Sequence, residues 1–588
     1  MLPALKYGLI ADDLPQRMIE LRPEQLPPRM PETGMLPRNS GSFSTVLFDL
    51  FGFGRDPQSI VLMKNYGVLP WWTSDNLGLS LCRPVAALTH WLDYRLFPDS
   101  PFLMHAHSIA WFAGLVFMVT IVYRKLMGAG WPAGLAAVLF LLDSNTYFPA
   151  AFVANRGYFL ALFFGALSLY QHHQWRQTNS RSAMSLSCVF LALSLYSEES
   201  GASTFAFILA YALAIEPGTF RRRALTVLPS ALVITAWQII YRMSGYGLRN
   251  VGVFYIDPAH EPLQFLGNLI PRVLVLLGSQ LTSVPAELLF VVKPTLHPIV
   301  IAVYGTLVLA VIVVFLPLII RDKFTAFWFW AMILTAIPEA VLVPLSKNFG
   351  YIAIASFGLI ASFVGGWSNR SSQSPGRTSR QALAKIACGL LILVHVPGAI
   401  AKRIVVSEAG ASVFHWAGGA PPDWLNVENE DVIVINHPVA TEALYVPAYA
   451  AYHRRHLART LRVLAPSCTG FDVQRTGDKT LVIQSRGSNF FSFDDVGPAH
   501  AAYACNAIDR LAGEYKCKKG ERLKFGNVEV EILEIDDSEL PSRVAFNFDR
   551  PLESPDFRWL SFDWRTSSTR PFTIPALGQS ITIPGPKK

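Results

Sequence analysis

Two adjacent carboxylates are the first residues of this chain that could do chemistry. Asp12 and Asp13 directly follow a short apolar opening, Met1–Ile10. A carboxylate at the mouth of a membrane cavity loses part of its hydration, and a second carboxylate beside it raises its affinity for a proton further. Both effects suit general-base catalysis. Asp12 and Asp13 are therefore predicted as catalytic residues, against the alternative of a solvated or helix-capping pair.

Three basic side chains farther along the chain could hold a phosphate group. Arg83 directly precedes Pro84, Arg156 stands in an Asn-Arg-Gly segment, and Lys347 stands in a Ser-Lys-Asn segment. Arginine and lysine bind phosphate oxygens through charge-assisted hydrogen bonds. Arg83, Arg156 and Lys347 are therefore predicted as phosphate- or donor-binding residues, with ordinary loop polarity as the alternative. Polar side chains predicted to line the same site are Asp75, His105, Asn155, Glu198 and Glu199.

The composition of the chain indicates which elements must hold these residues. Of the 588 residues, 52% are hydrophobic and 16% are charged, whereas soluble domains carry about 25% charged residues. A disordered, collagen-like or ordinary cytosolic protein is excluded, and a polytopic membrane protein is indicated. The net charge of +8 is explained by basic cytoplasmic loops, so nucleic acid is not predicted as a partner.

Residues 106–401 form the predicted transmembrane domain. This block contains many apolar segments close to the roughly 20 residues that a helix needs to cross a bilayer. Between them, the segment 242–297 contains Arg272 and Pro285, which favours helices lying at the membrane interface over two full crossings. The predicted spans are 107–123, 131–150, 157–171, 183–197, 201–215, 224–241, 298–320, 325–344, 349–367 and 382–401.

Basic residues occur in alternate loops of this domain, as the positive-inside rule requires of cytoplasmic loops. They lie at 124–125, 172–181, 221–223, 321–323 and 370–385. The remaining loops and the C-terminal residues 402–588 then face outward, and every candidate site residue falls on this outer side. The prediction is a multi-pass protein of the bacterial inner membrane, in contact with membrane lipids, whose C-terminal domain is periplasmic.

The two ends of the chain differ from the apolar block. Residues 1–105 are predicted as a first external loop with amphipathic interfacial helices, after a first membrane helix that is truncated or missing, or a segment that only dips into the membrane. Residues 402–588 alternate apolar and polar positions, as in Val528–Ile532, which predicts half-buried antiparallel strands. The predicted fold class is an α-helical polytopic membrane protein with a C-terminal external α/β-to-β, sandwich-like domain. One disulfide is predicted there among Cys468, Cys505 and Cys517.

Four segments resemble, in order and in sidedness, the GT-C class of membrane glycosyltransferases, and in particular the bacterial relatives of the protein O-mannosyltransferases, including the TMTC type. Asp12-Asp13 resembles the acidic pair of the family's first external loop. Cys82–His105 is similar to its "RPL…LT…L.Y.L…P…H" stretch, Asn155–Phe164 to "GRADLLAALFF", and Ser197–Gly201 to "SKEQG". The resemblance covers residues 1–215 by motif and extends to about residue 401 by topology, so GT-C-like is the expected fold.

The resemblance implies an inverting sugar transfer from a polyprenyl-phosphate donor. Asp13 or Asp12 would deprotonate an acceptor hydroxyl, which attacks the anomeric carbon from the side opposite the phosphate. Arg83, Arg156 or Lys347 would offset the charge that develops on the leaving lipid phosphate. The acceptor, whether glycan, lipid or protein, is left open. A divalent metal is also left open, since some GT-C enzymes use one and others do not.

Two other functions are compatible with the same residues. A transporter or flippase of lipid-linked or small polar substrates would explain the membrane domain, but such proteins often contain internal repeats, and none is evident in this sequence. A non-catalytic membrane scaffold, whose external domain binds glycan or a protein partner, is the other alternative.

Overall fold

The structure is a computed structural model of the full chain, and it has an N-terminal region, a helical bundle and a C-terminal region of strands. The described residues are all except 1, 55, 252–253, 293, 372–378, 406–423, 426, 468, 493–515 and 587–588. Cys468 and Cys505 lie outside the described residues, and the predicted disulfide lies outside them as well. Cys517 is described as a buried thiol.

The N-terminal region contains four short α-helices and two strands of a small sheet, and residues 247–249 supply the third strand. The helices are α1 (Asp13–Glu20), α2 (Phe43–Asp49), α3 (Pro57–Tyr66) and α4 (Pro84–Leu96). The strands pair antiparallel in the order β1 (Phe51–Gly54), β2 (Gly78–Leu81) and β3 (Gly247–Arg249). Side-chain oxygens of Ser42 and Asp56 accept backbone hydrogen bonds at the starts of α2 and α3, and Pro84 occupies the first turn of α4. These residues explain where the helices begin.

The helical bundle contains α5 to α17. Their bounds are α5 Pro101–Met127, α6 Trp131–Leu142, α7 Tyr147–Ala151, α8 Arg156–Thr178, α9 Arg181–Leu195, α10 Ser203–Ala214, α11 Phe220–Met243, α12 Pro262–Thr282, α13 Leu288–Val291, α14 His297–Ile319, α15 Lys323–Glu339, α16 Gly350–Ser371 and α17 Ser379–Leu393. A π-helical turn, Val394–Gly398, follows α17. The bundle buries large side chains such as Trp328 and Phe159 between its helices.

Several helices of the bundle meet the requirements for crossing a membrane. Among the described residues these are Pro101–Met127, Phe220–Met243, Pro262–Thr282, His297–Ile319 and Ala384–Val405. Large apolar side chains such as Leu309 lie exposed on the outside of the bundle, as expected of residues that face lipid. The predicted multi-pass membrane domain is therefore confirmed. The segment predicted to span 131–150 forms a shorter helix that ends at Leu142, because the Asp143 side chain accepts the backbone N–H of Asn145 at 3.2 Å and turns the chain.

Helix α12 occupies the segment for which interfacial helices are predicted. By length and composition it is also long and apolar enough to span. Its Arg272 donates to the carbonyl oxygens of Ala340 and Val341, both at 2.9 Å, directly after α15 ends. The carbonyl oxygen of Ser283, just beyond α12, accepts from Lys402 at 3.4 Å. Contacts at the middle and at the end of α12 thus hold it against the bundle, and the interfacial placement stays a prediction.

The C-terminal region is built from two sheets and a short helix, α18 (Val446–Tyr452). The strands are β4 Asp431–His437, β5 Thr460–Pro466, β6 Phe471–Gly477, β7 Thr480–Ser485, β8 Arg522–Phe525, β9 Val528–Ile535, β10 Pro541–Phe548, β11 Phe557–Asp563, β12 Ser568–Pro571 and β13 Ser580–Ile583. One sheet is antiparallel, in the order β13-β6-β7-β10-β9-β8. The other is mixed, in the order β12-β11-β4-β5, with β4 parallel to both β5 and β11.

The strand pattern follows the predicted alternation in one sheet and departs from it in the other. In β9, Val528, Val530 and Ile532 are buried, while the glutamates between them are half-buried. Strand β4 is buried along its whole length, because it lies between two parallel neighbours. The region therefore combines an α/β unit with an antiparallel sheet, and the predicted α/β-to-β class is confirmed.

The C-terminal region shares a hydrophobic core with the N-terminal region. The indole N–H of Trp71 donates to the carbonyl oxygen of Leu464 at 2.9 Å. The hydroxyl of Tyr66 donates to the carbonyl oxygen of Ala458 at 3.0 Å. The guanidinium of Arg462 donates to carbonyl oxygens at the end of α3. Buried hydrogen bonds of this kind fix the orientation of the two regions, since breaking one leaves a buried polar group unpaired.

Candidate functional site

The segment before α1 gives its two aspartates different environments. Ala11 has a positive φ of 45°, and Asp13 is the first residue of α1. The Asp13 side chain is fully buried, where its Oδ1 accepts the N–H of Ala154 at 2.6 Å and its Oδ2 accepts the N–H of Ile10 at 3.2 Å. Burial raises the pKa of Asp13 to about 7, although these two bonds oppose the rise. Asp12, by contrast, is exposed at the surface.

Asp12 is bonded by a side chain from the C-terminal region. The Tyr445 hydroxyl donates to Oδ1 of Asp12 at 2.8 Å. The Tyr445 ring packs on an apolar cluster that includes Ala11 and Phe152. Burial raises the pKa of Tyr445 well above its ordinary value, and the charge of Asp12 adds to this, so the hydroxyl keeps its proton. Asp12 is therefore an exposed carboxylate that is held in place through one oxygen.

Lys347 lies in the loop between α15 and α16, in the 3-10 turn Ser346–Asn348. This turn packs against the 3-10 turn Ser144–Thr146 and against α7. The Lys347 side chain is half-buried and forms no hydrogen bond or ion pair with any residue that the structure describes. Burial lowers the pKa of Lys347, whereas the charges of Asp12 and Glu198 oppose the shift. An ammonium and two carboxylates thus share one electrostatic environment.

Arg83 is paired with two glutamates at the turn between α9 and α10. Its guanidinium lies 2.6 Å from a carboxylate oxygen of Glu199 and 3.5 Å from one of Glu198. The Tyr241 hydroxyl donates to the other oxygen of Glu199 at 3.1 Å. Burial raises the pKa of Glu198. The three charged side chains that the sequence assigns to the site are therefore in contact, and Glu199 carries most of the pairing with Arg83.

Arg156 is fully buried at the start of α8. It forms an ion pair with Asp93 and donates to Ser108 Oγ at 3.0 Å. It also donates to the carbonyl oxygens of Thr89 at 3.2 Å and Met104 at 2.9 Å. Each guanidinium nitrogen has a protein partner, and the side chain has no exposed surface. This arrangement joins α4, α5 and α8, and it does not favour the predicted contact with a phosphate.

The remaining predicted site residues are divided between two places. His105 is buried, with Nε2 3.3 Å from the carbonyl oxygen of Gly8, and Asn155 is half-buried just before α8. Both lie beside the segment that holds the two aspartates. Asp75 instead pairs with Lys64 at 2.5 Å. None of the described contacts joins Asp75 to the aspartates or to the lysine of the candidate site.

Three residues of this site escaped the sequence-based prediction. Tyr445 and Tyr241 reach it from distant parts of the chain, and no local pattern distinguishes them. Glu339 is buried at the end of α15, where it accepts a hydrogen bond from Ser203 Oγ at 3.2 Å. It falls inside the predicted span 325–344, and an acidic residue within such a span is itself a signal for function.

The described residues offer no evident ligand set for a metal ion. Among them, no group of three or more histidine, cysteine, aspartate or glutamate side chains is placed to hold one. Glu199 is occupied by Arg83 and Tyr241, and Asp13 by two backbone amides. Arginine, tyrosine and backbone donors thus supply the partners of these carboxylates.

Solved structures that are similar to this chain include two proteins from an archaeon and a bacterium. One is the archaeal oligosaccharyltransferase AglB from Archaeoglobus fulgidus, in complex with an inhibitory peptide and a dolichol-phosphate, with 14% identity over 71% of this chain and 53% of that chain and a TM-score of 0.34. The other is ArnT from Cupriavidus metallidurans in the apo state, with 12% identity over 69% of this chain and 79% of that chain and a TM-score of 0.30. The chain spans about half the length of the AglB chain. It matches no protein-family model and no curated protein.

Proposed function

We propose that this chain is a membrane glycosyltransferase of the GT-C class, which transfers a sugar from a polyprenyl-phosphate donor to an acceptor hydroxyl. One observation carries the proposal. The exposed carboxylate of Asp12 and the ammonium of Lys347 share an electrostatic environment at one end of an apolar helical bundle. A base and a cation are what such a transfer needs from the protein, and the bundle offers an apolar surface for the lipid tail.

The chemistry assigned to these residues is a single inverting displacement. Asp12 takes the proton of the acceptor hydroxyl, and the hydroxyl oxygen forms a bond to the anomeric carbon. The bond from that carbon to the phosphate oxygen breaks on the opposite face, and the electron pair leaves with the polyprenyl phosphate. Lys347 offsets the negative charge that develops on this phosphate, where partial burial strengthens the interaction.

The geometry favours Asp12 over Asp13 as the base. Both oxygens of Asp13 face backbone N–H groups inside the protein, so an acceptor cannot reach them without displacing the chain. Asp12 is exposed, and the structure shows one described hydrogen bond to it, at Oδ1. Its Oδ2 is therefore open to an acceptor hydroxyl. In this proposal Asp13 holds the segment that presents Asp12.

The two arginines receive different roles. Arg83 lies beside Glu198 and Glu199, and its charge acts on Lys347. It is proposed to contact the phosphate once the donor displaces one of its carboxylate partners. Arg156, whose nitrogens are all occupied, is proposed to position the start of α8 and not to bind the donor.

The location of the reaction follows from the positive-inside rule. We place the site at the periplasmic end of the bundle in a bacterial inner membrane, because the basic loops lie at the other helix ends. At those other, cytoplasmic ends, Arg176 pairs with Glu216, with nitrogen–oxygen distances of 2.7 and 2.8 Å. This pair joins the ends of α8 and α10. On this assignment the C-terminal region lies in the periplasm with the acceptor, which is a glycan, a lipid or a protein.

Replacement of Asp12 by Asn tests the proposal. In cells that lack the native gene, the wild type should restore the surface glycan or glycoprotein composition, and Asp12→Asn should not, because loss of a general base lowers a rate by about 10²–10⁴-fold. Asp99→Asn is the matched control, since Asp99 is exposed and forms no ion pair with a described residue. Mass spectrometry of the surface material provides the measurement.

A direct assay uses purified full-length protein in proteoliposomes with radiolabelled undecaprenyl-phosphate sugars and an acceptor fraction from the deletion strain. Transfer of label and release of undecaprenyl phosphate should both depend on Asp12. Equal restoration by the wild type and Asp12→Asn would refute the assignment of the base. If donor is neither consumed nor transferred by the wild type, a transporter or scaffold becomes the better explanation.

A further inference from the structure

We infer that the C-terminal region supplies a positioning residue to the catalytic site, with the Tyr445 hydroxyl orienting the carboxylate of Asp12. This inference rests on the proposed function for its chemistry, and on the structure for its geometry. The two residues are 433 positions apart in the sequence, and their side-chain oxygens are 2.8 Å apart. The C-terminal region, to which no motif assigns a role, thereby becomes part of the site.

The position of Tyr445 is determined by packing on both sides. On one side, its ring lies against the apolar cluster that contains Ala11 and Phe152. On the other, Tyr445 directly precedes α18, whose first residues Val446 and Pro447 are buried, and α18 packs against α1. The hydroxyl is thus placed by two elements that are themselves fixed.

The position of the C-terminal region as a whole is also fixed by contacts with the N-terminal region. The bonds from Trp71 to Leu464 and from Tyr66 to Ala458 tie it to the N-terminal region. At Gly67, a Cβ atom would lie 1.9 Å from the carbonyl oxygen of Leu461, so the two backbones are in close contact there. Tyr445 therefore belongs to a region whose contacts with the N-terminal region place it beside Asp12.

The two neighbouring aspartates connect this segment to two different regions of the protein. Asp13 ties it to the helical bundle through Ala154, and Asp12 ties it to the C-terminal region through Tyr445. With Oδ1 of Asp12 engaged, rotation of the carboxylate is restricted, and Oδ2 is left for the acceptor. A general base acts efficiently only when its oxygen is held within hydrogen-bond reach of the proton.

The hydroxyl of Tyr445 is suited to a positioning role and not to proton transfer. It donates a hydrogen bond to the carboxylate, and its raised pKa keeps it protonated, so it takes no proton. Removing the hydroxyl should therefore loosen the orientation of the base.

The test compares Tyr445→Phe with Tyr449→Phe. Tyr449 is half-buried in α18, one turn farther along, and its hydroxyl has no hydrogen bond to a described residue. In the proteoliposome assay, Tyr445→Phe should lower kcat by about ten- to hundredfold, the value of one hydrogen bond to a charged group, with KM for the undecaprenyl-phosphate donor unchanged. Tyr449→Phe should behave as wild type.

A second measurement does not depend on turnover. The measurement is amide hydrogen exchange of the full chain in nanodiscs. At residues 8–14, exchange should be faster in Tyr445→Phe than in the wild type, and it should be the same in Tyr449→Phe as in the wild type. Unchanged exchange in Tyr445→Phe would overturn the inference even if no sugar transfer is found. A wild-type kcat for Tyr445→Phe, beside an inactive Asp12→Asn, would overturn it while leaving the proposed function intact. Equal losses in the two tyrosine variants would also overturn it, because they would trace the effect to the packing of α18.

Discussion

Asp13→Asn gives a sharp test of the role that burial assigns to this side chain. Asp13 is fully buried, and both its oxygens accept backbone N–H groups. An asparagine amide group at one of these positions would place two donors face to face. Relative to the ionised carboxylate this costs about 1–3 kcal/mol, because a buried donor loses its acceptor. The substitution also removes a buried charge, and that second effect depends on pH.

The pH-dependent part follows from the raised pKa. Burial moves the pKa of Asp13 from 3.8 to about 7 in the folded protein. Between these values the folded state holds a proton that the unfolded state has released, so the free energy of unfolding falls as the pH rises. This difference in pKa lowers the free energy of unfolding by about 4 kcal/mol once Asp13 is fully ionised, near pH 8. The contribution is fully present below pH 4 and is lost as the pH passes through 7.

The measurement is thermal unfolding of the detergent-solubilised full chain from pH 4.5 to pH 8.5. Because the wild type alone loses stability through Asp13 as the pH rises, the stability of Asp13→Asn relative to the wild type should increase from pH 5 to pH 8. Asp99→Asn is the control, because Asp99 is exposed and forms no ion pair with a described residue; its stability should change with pH as that of the wild type does. Comparison with the wild type cancels the effects of other groups that titrate in this range. A constant difference between Asp13→Asn and the wild type at every pH would refute the reasoning.

Two further predictions concern the cations. Arg156→Gln should lower the free energy of unfolding by about 3–5 kcal/mol, because it removes the guanidinium that pairs with the buried carboxylate of Asp93 and leaves that carboxylate with His107 alone as a described ion-pair partner; a denaturation midpoint equal to that of the wild type would contradict the positioning role. Lys347→Met should raise KM for the undecaprenyl-phosphate donor and lower kcat, with thermal stability unchanged or increased, since it removes a half-buried ammonium. Lys6→Met, at an exposed lysine, is the control, and equal kinetics in the two variants would contradict a role in phosphate binding.

Local patterns in the sequence were sufficient to predict much of the architecture. Apolar segments predict the membrane helices because lipid excludes charge over a length that the sequence displays directly. The alternation at Val528–Ile532 predicts strand β9 because neighbouring positions on a strand face opposite sides. The same reasoning fails at 131–150, where one polar turn at Asp143 ends the helix early. Hydropathy averages over a window and does not register a single hydrogen bond.

The site itself depends on contacts that local patterns cannot supply. Asp12 and Asp13 are identical in type and adjacent in sequence, and a positive φ at Ala11 together with two backbone donors decides which of them is buried. Arg156 carries the charge expected of a phosphate ligand, but its pairing with Asp93 depends on how α4 packs against α8. The approach of Tyr445 to Asp12 depends on the fold of the entire C-terminal region. The residue types in the sequence predict which chemistry the site could perform. Which of the candidate residues performs each role depends on how the elements pack.

The way charges are paired at this end of the bundle separates structural residues from those available for chemistry. Direct ion pairs join Arg156 to Asp93 and Arg83 to Glu199. A charged side chain in a low-dielectric environment destabilises the fold unless it is paired in this way. Lys347 is half-buried in the same setting without a direct partner among the described residues. A scaffold with no ligand would be more stable with this ammonium paired or replaced by an apolar side chain. In the proposed function, the anion that pairs with this ammonium is the donor phosphate, which arrives from outside the protein.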